Sequence, residues 1–196
     1  MVVVNDNSTD DTLSIIEKFS QNYAWIQGLS ISSSSEHIPG SKVIKAFYKG
    51  METIDEDYDI ICKYDADLIF PENYIERVSE LFSQDPEVGI AGGLPFIEVK
   101  GKWIFESIAS KDHVRGPLKA YRKECFKQIG GLKQTIGWDS VDVLLAQFYK
   151  WKVATDKSLH VKHLKPTGAV SYTHLRAHET SRAISYAVFC LKSGGG

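Results

Sequence analysis

The chain has 196 residues, 43% hydrophobic and 24% charged, with a formal net charge of −2. That is the composition of a globular domain with one sizeable core, and the near-neutral charge argues against a nucleic-acid surface. No apolar run is long enough to span a bilayer, and the start lacks a basic region followed by a signal-like core. Cys62, Cys125 and Cys190 show no metal-type spacing, so a reducing, cytoplasmic compartment is the simplest fit.

Met1 to Val4 predicts a short β-branched strand. It stops at the cap- and turn-rich run Asn5-Asp6-Asn7-Ser8-Thr9-Asp10-Asp11-Thr12. A helix then places Leu13, Ile16 and Phe19 on one face, the first half of a βαβ unit. Trp25 to Ser32 predicts the next strand. Gly40-Ser41-Lys42 opens a helix whose buried side carries Val43, Phe47, Met51 and Ile54. The backbone N–H groups at that helix start favour anions, although an ordinary cap reads the same way.

Tyr58 to Cys62 predicts a buried strand running into Asp65-Ala66-Asp67, with Pro71 and Glu72 opening the following helix. Ligands of open α/β sheets bind at the carboxyl ends of the strands. Two carboxylates two residues apart on extended chain point the same way and can hold a divalent cation that neutralises a diphosphate. A surface turn carrying two acids is the plainer alternative. The helix behind them turns Tyr74, Val78, Leu81 and Phe82 inward.

Val88 to Ala91 predicts a strand closed by Gly92-Gly93, and Phe96 to Phe105 a hairpin turning at Lys100-Gly101-Lys102. Leu118 to Tyr121 predicts a strand, and Arg122 to Phe126 begins a short helix ending at Gly130-Gly131. Gly137 to Asp142 leads into a helix carrying Val143, Leu144, Ala146, Gln147 and Phe148. There Asp139 suits an N-cap and Asp142 suits the helix dipole. Val153 to Thr155 and Leu159 to Leu164 predict two late strands, on which His160 and His163 face opposite sides. Strands alternating with helices predict an α/β fold: a mostly parallel, Rossmann-like sheet with helices on both faces and a small antiparallel hairpin.

The tail reads differently. Val170 to Thr180, VSYTHLRAHET, is what one frame of a sequencing-library transposon adapter encodes. Ile184 to Leu191, ISYAVFCL, matches the primer tail that follows such an adapter. Ser181 to Ala183 stand in the place of a barcode, and Gly194 to Gly196 suit a run of unread G bases. The expectation is a partial native domain over 1–169 and a non-native translation over 170–196, with the natural termini outside the chain. His174, His178 and Cys190 then carry no functional weight.

An ordered set of these motifs resembles the family 2 inverting glycosyltransferases of the GT-A fold, over about Met1 to Ala169. The set is Val3 to Asp10, Gly40-Ser41-Lys42 through Gly50, Asp65-Ala66-Asp67, Lys119 to Lys123 through Gly130-Gly131, and Trp138-Asp139-Ser140-Val141-Asp142. The resemblance implies a metal-dependent transfer of a sugar from a nucleotide-diphosphate donor to a hydroxyl of a glycan or lipid-linked acceptor. It places Asn5, Asp6, Ser8, Lys42, Asp65 and Ala66 at the donor, with Asp6 on the base. Asp65, Asp67 and His163 would hold Mg²⁺ or Mn²⁺, with His160 second to His163. Asp142 would be the general base, with Asp139 behind it, because Val141 replaces the Glu of the family's Glu-Asp pair. Arg115 and Gly116 would border the acceptor. Relatives of this kind mostly build bacterial cell-surface polysaccharide at the cytoplasmic face of a membrane, which implies peripheral membrane association and no nucleic-acid partner.

Two other readings stay open. A nucleotidyltransferase usually carries a basic, Gly-rich loop after its first strand, where this chain is acidic. A sugar-nucleotide or glycan-binding module that has lost catalysis draws its support from Val141. A phosphatase-type Asp-x-Asp fits poorly, because Leu68 and Ile69 follow where a Thr is expected.

Overall fold

The structure, a computed structural model, describes residues 1–32 and 41–166, and the backbone of 184–191. Among the described residues nine strands form one mixed sheet in the order β2-β1-β9-β3-β7-β5-β8-β4, with β6 paired to β5. The strands are β1 (Val2–Asp6), β2 (Gln27–Ile31), β3 (Ile60–Asp65), β4 (Leu68–Ile69), β5 (Val88–Val99), β6 (Lys102–Phe105), β7 (Leu118–Arg122), β8 (Lys152–His163) and β9 (Ile184–Leu191). The helices are α1 (Thr12–Asn22), α2 (Ser41–Met51), α3 (Tyr74–Gln84), α4 (Lys123–Gln128) and α5 (Trp138–Phe148).

The parallel pairs are β1–β2 and β5–β8; the other pairings are antiparallel. Direction is nevertheless orderly. β1, β2, β3, β5 and β8 all run one way, as alternating strands and helices require, while β4, β6, β7 and β9 run against them. β1 and β3 therefore end at the same edge of the sheet, with β9 between them: Asp6 lies opposite Ile184, and Asp65 opposite Tyr186. With two strand spacings sideways and a two-residue offset along β9, Asp6 and Asp65 stand about 12 Å apart across that edge.

Helices cover both faces. Tyr121 of β7 packs edge-on against Phe126 of α4 and donates to Asp142 of α5, so α4 and α5 lie over the face that also carries Ile61, Lys63 and Lys119. The opposite face carries Tyr64 and Leu118. There Tyr74 of α3 packs against the Tyr64 ring and donates its hydroxyl to Leu118 O at 3.2 Å. The core between these layers includes Ile44, Phe47, Ile61, Tyr64, Tyr74, Val78, Ile90, Leu118 and Tyr121, all almost fully buried.

Several elements differ from the sequence expectation. In α1 only Ile16 is buried, while Leu13 and Phe19 are exposed. α3 starts at Tyr74, because the short strand β4 and a turn intervene after Asp67. β5 does not stop at Gly92-Gly93. A Cβ on Gly92 would meet Leu118 O at 2.7 Å and one on Gly93 would meet Leu159 O at 2.5 Å, so the two glycines let β7 and β8 pack close at an irregular register. The two late strands are one strand, β8. The N-cap of α5 is Gly137 in a left-handed conformation, so Asp139 sits in the first turn and does not cap. Leu144 and Phe148 face outward from α5. The turns at Lys100-Gly101 and Gly130-Gly131 are as expected, each with two successive residues at positive φ. Among the described residues no helix is long and apolar enough to cross a membrane. Residues 33–40, which include Gly40, and residues 167–183 and 192–196 lie outside the described residues.

Candidate active site

The carboxyl edge of β3 brings three elements together. Asp65 is the last residue of β3. Asp67 follows it, and His163 ends β8 directly opposite Leu68. His163 is 4% exposed, with Nε2 at 3.8 Å from Asp67 Oδ1. That carboxylate oxygen is buried and has no hydrogen-bond partner. The other ring nitrogen, Nδ1, lies 3.0 Å from Oε2 of the buried Glu106, just past the end of β6. His160, on the opposite side of β8, is exposed and stacks on Phe96 at 4.1 Å between ring centres.

The electrostatics match this layout. Burial and the neighbouring Asp65 carboxylate raise the Asp67 pKa, with His163 opposing them. For His163, burial alone would lower the pKa, but the hydrogen bond and charge of Glu106, then Asp67 and Asp65, outweigh it and hold the value above the ordinary one. An acid disfavoured as an anion beside a ring with one nitrogen already oriented is a donor set suited to a divalent cation. Ligands about 2.1 Å from one ion stand roughly 3–4 Å apart, which the Asp67–His163 separation fits. Among the described residues, no group of three or more His, Cys, Asp or Glu could hold a metal ion.

A second cluster adjoins the first through two lysines. Lys63 and Lys119 are cross-strand partners on β3 and β7, both buried. Lys63 Nζ donates to Asp65 Oδ1 and reaches Gly116 O at 3.5 Å. Lys119 Nζ donates to both oxygens of Asp142, at 2.7 and 2.9 Å, and to the backbone carbonyl of Asp139. Trp138 packs against both ammonium groups, its ring centre 5.0 Å from Lys63 Nζ and 5.7 Å from Lys119 Nζ. Burial lowers the Lys119 pKa, and Asp142 opposes the shift.

The two acids of α5 differ. Asp142 is 1% exposed, and besides Lys119 it accepts from Tyr121 OH at 2.5 Å and from Val143 N–H at 2.6 Å. Asp139 is half-buried at the start of the helix, and its side chain lies against Gly116, where a Cβ would meet Asp139 Cβ at 3.0 Å and Oδ2 at 3.1 Å. Arg115 is buried beside that glycine, and His113 is held below its ordinary pKa by burial first and by Lys119 second.

The remaining donor candidates sit at the end of β1. Asn5 and Asp6 are buried, and Asn5 Nδ2 lies 3.5 Å from Ser30 Oγ. Asn5 Oδ1 and Ser8 Oγ are buried without hydrogen-bond partners, the kind of orphaned polar atom a bound ligand satisfies. Ala66 is exposed between the two aspartates. Lys42 is half-buried in the first turn of α2, with no ion pair to either aspartate. Sequence reasoning missed Lys63, Lys119, Tyr121 and Glu106. Each is a polar residue buried by partners distant in the chain; the sequence signal was a Lys or Glu set inside or beside an apolar strand.

Residues 1–136 match the family described as Glycosyl transferase family 2, so Asp139, Asp142 and His163 lie beyond the matched stretch. Among solved structures the chain is similar to the mannosyltransferase PcManGT from Pyrobaculum calidifontis in complex with GDP-Man and Mn²⁺. That likeness has 15% identity and a TM-score of 0.60 over 86% of this chain and 48% of that one. S. aureus TarS 1–349 in complex with UDP is 15% identical, with a TM-score of 0.57 over 82% of this chain and 50% of that one. GalNAc-T7 with UDP, GalNAc and Mn²⁺ is 11% identical, with a TM-score of 0.58 over 84% of this chain and 37% of that one. The likeness is one of fold, and the chain spans about half the length of those structures or less. No curated protein matches the chain.

Proposed function

This chain belongs to glycosyl transferase family 2, and from that membership we propose that it is the donor-side part of a metal-dependent, inverting glycosyltransferase with a GT-A fold. The observation that carries the reading is the buried, unpartnered Asp67 Oδ1 facing His163 Nε2 at the carboxyl edge of β3. Asp67 and His163 would hold Mg²⁺ or Mn²⁺, which when bound would supply positive charge to stabilise a departing nucleoside diphosphate.

The chain's own residues do the rest. Asp6, Asn5 and Ser8 receive the nucleoside at the end of β1, where Asn5 Oδ1 and Ser8 Oγ lack partners. Lys63 holds Asp65 in place, so Asp65 meets the ribose while Asp67 turns to the ion; Ala66 between them lets the donor approach. Lys42 sits at the N-terminus of α2 on the nucleotide side. We assign the general base to Asp139 and not to Asp142. The Asp142 carboxylate is buried and satisfied by Lys119, Tyr121 and Val143 N–H, whereas Asp139 is only half-buried in the first turn of α5, with its side chain against Gly116. Asp139 removes the proton from the acceptor hydroxyl, which attacks the anomeric carbon opposite the leaving diphosphate.

The donor is a nucleotide-diphosphate sugar, as in the neighbours with GDP-Man or UDP bound. The acceptor is a glycan or a lipid-linked glycan in cell-surface polysaccharide assembly, reached by peripheral association at the cytoplasmic face of a membrane. The test is release of UDP or GDP from nucleotide sugars with Mn²⁺. Release lost in Asp67→Ala is the expected result. Donor binding without any turnover would make the protein a binding module, and neither binding nor release would end the reading.

A further inference from the structure

Phe96 and Phe105 close the body of the β5–β6 hairpin, and Glu106 comes immediately after. Its backbone N–H donates to Pro95 O at 2.9 Å, which turns the side chain into the protein. The residue is 2% exposed. Burying a carboxylate costs several kcal/mol unless polar or charged groups compensate. One compensating group is His163, whose Nδ1 lies 3.0 Å from Glu106 Oε2 while its Nε2 faces Asp67. Three segments distant in the chain thus meet in a line: Glu106, the His163 ring, and the unpartnered oxygen of Asp67.

A carboxylate can only accept, so a neutral His163 must carry its proton on Nδ1 to satisfy Glu106. The lone pair is then on Nε2, on the side of Asp67. Without Glu106 the ring could flip, and its proton could settle on Nε2, the nitrogen that has to bind the ion. We propose that Glu106 is a positioning residue for the cation site: it fixes the His163 ring and its tautomer so that Nε2 and Asp67 Oδ1 converge on one divalent ion. This rests on the reading of Asp67 and His163 as cation ligands. Carboxylates behind histidine ligands act in this way generally, by orienting the ring and raising its basicity, and their loss costs about 10–100-fold in metal affinity.

The experiment pairs two readouts on the metal-free chain. Imidazole ¹⁵N–¹H correlation spectra, taken above the titration of the ring, report the tautomer of His163. Electron paramagnetic resonance of free Mn²⁺ gives the dissociation constant for Mn²⁺ alone. The wild type is expected to carry the proton on Nδ1. Glu106→Ala is expected to mix the tautomers and weaken Mn²⁺ binding about 10–100-fold. Glu106→Gln, whose amide oxygen still accepts from Nδ1–H, is expected to keep the tautomer and lose less affinity. Unchanged Mn²⁺ affinity in Glu106→Ala, with affinity lost in His163→Ala, overturns the role of Glu106. Affinity unchanged in His163→Ala as well means that the cation reading fails. If Glu106→Ala does not fold, a proton on Nε2 in the wild type overturns the proposal by itself.

Discussion

Lys63 and Lys119 face each other directly across β3 and β7, both almost fully buried, and each meets a carboxylate: Asp65 for the first, Asp142 for the second. Two like charges in a cross-strand pair repel. The arrangement holds because Trp138 offers its ring to both and because each acid neutralises its own lysine. The pair therefore joins the donor edge at Asp65 to the first turn of α5, where Asp139 projects. Placement of the two halves of the site depends on polar groups inside the core.

The Lys119–Asp142 pair should behave as a buried ion pair. Removing one partner leaves a buried charge and is expected to cost about 3–5 kcal/mol. Lys119→Met and Asp142→Asn should each show a loss of that order in urea unfolding. Lys119→Met combined with Asp142→Leu should recover much of it, leaving the Tyr121 hydroxyl as the remaining debit. Additive losses in the double variant would show that the two residues do not act as a pair.

Asp139 and Asp142 should separate by phenotype. Asp139→Asn is expected to leave folding and nucleotide binding near wild type and to reduce transfer by at least about 100-fold, the usual contribution of a general base. Asp142→Asn is expected to lose stability first, with any fall in transfer following the fall in folded protein. Rates per folded molecule, with unfolding curves for both variants, make the distinction. A stable Asp142→Asn protein without transfer would return the base to Asp142.

Gly93 is a steric site. A Cβ there meets Leu159 O at 2.5 Å and Leu159 Cβ at 2.8 Å, so Gly93→Ala must push β5 and β8 apart. Overpacking of this kind costs about 1–3 kcal/mol. A lower thermal midpoint in Gly93→Ala is the expected result, and an unchanged midpoint would show that β5 and β8 part there without cost.

Asp156 links stability to acid. Burial alone would raise its pKa, but hydrogen bonds from Ser158 and then Arg77 outweigh burial and hold it below 3.8. A folded pKa below the unfolded one, about 3.9, stabilises the fold above that value, and the contribution is lost as pH falls through the folded value. Asp156→Asn should be less stable than wild type at neutral pH, and the two unfolding free energies should converge in strong acid. A constant difference at every pH would leave the carboxylate charge out of the account.

Much of the donor edge was legible from sequence. Asp65-x-Asp67 follows an apolar run and precedes a turn, so period and punctuation placed it at the end of a strand. The odd spacing of His160 and His163 placed them on opposite sides of β8. The joining network was not legible. A Lys within Ile60-Ile61-Cys62-Lys63-Tyr64 gives no local sign that it is buried; Trp138 and Gly116, which enclose it, come from more than fifty residues away. Glu106 reads as a lone acid after a hairpin until β8 brings His163 to it. The direction of β3 relative to β1 followed from the alternation of strands and helices. The strand β9 between them did not, because 170–196 was read as a translated adapter.

The most direct measurement is calorimetric titration of UDP and GDP, each with and without Mn²⁺, into the chain and into Asp67→Ala. Binding of one nucleotide that strengthens with Mn²⁺ in the wild type and loses that dependence in Asp67→Ala is the expected result. Binding that is indifferent to Mn²⁺ and unchanged in Asp67→Ala, or no binding of either nucleotide, would contradict a donor site built on Asp67 and His163.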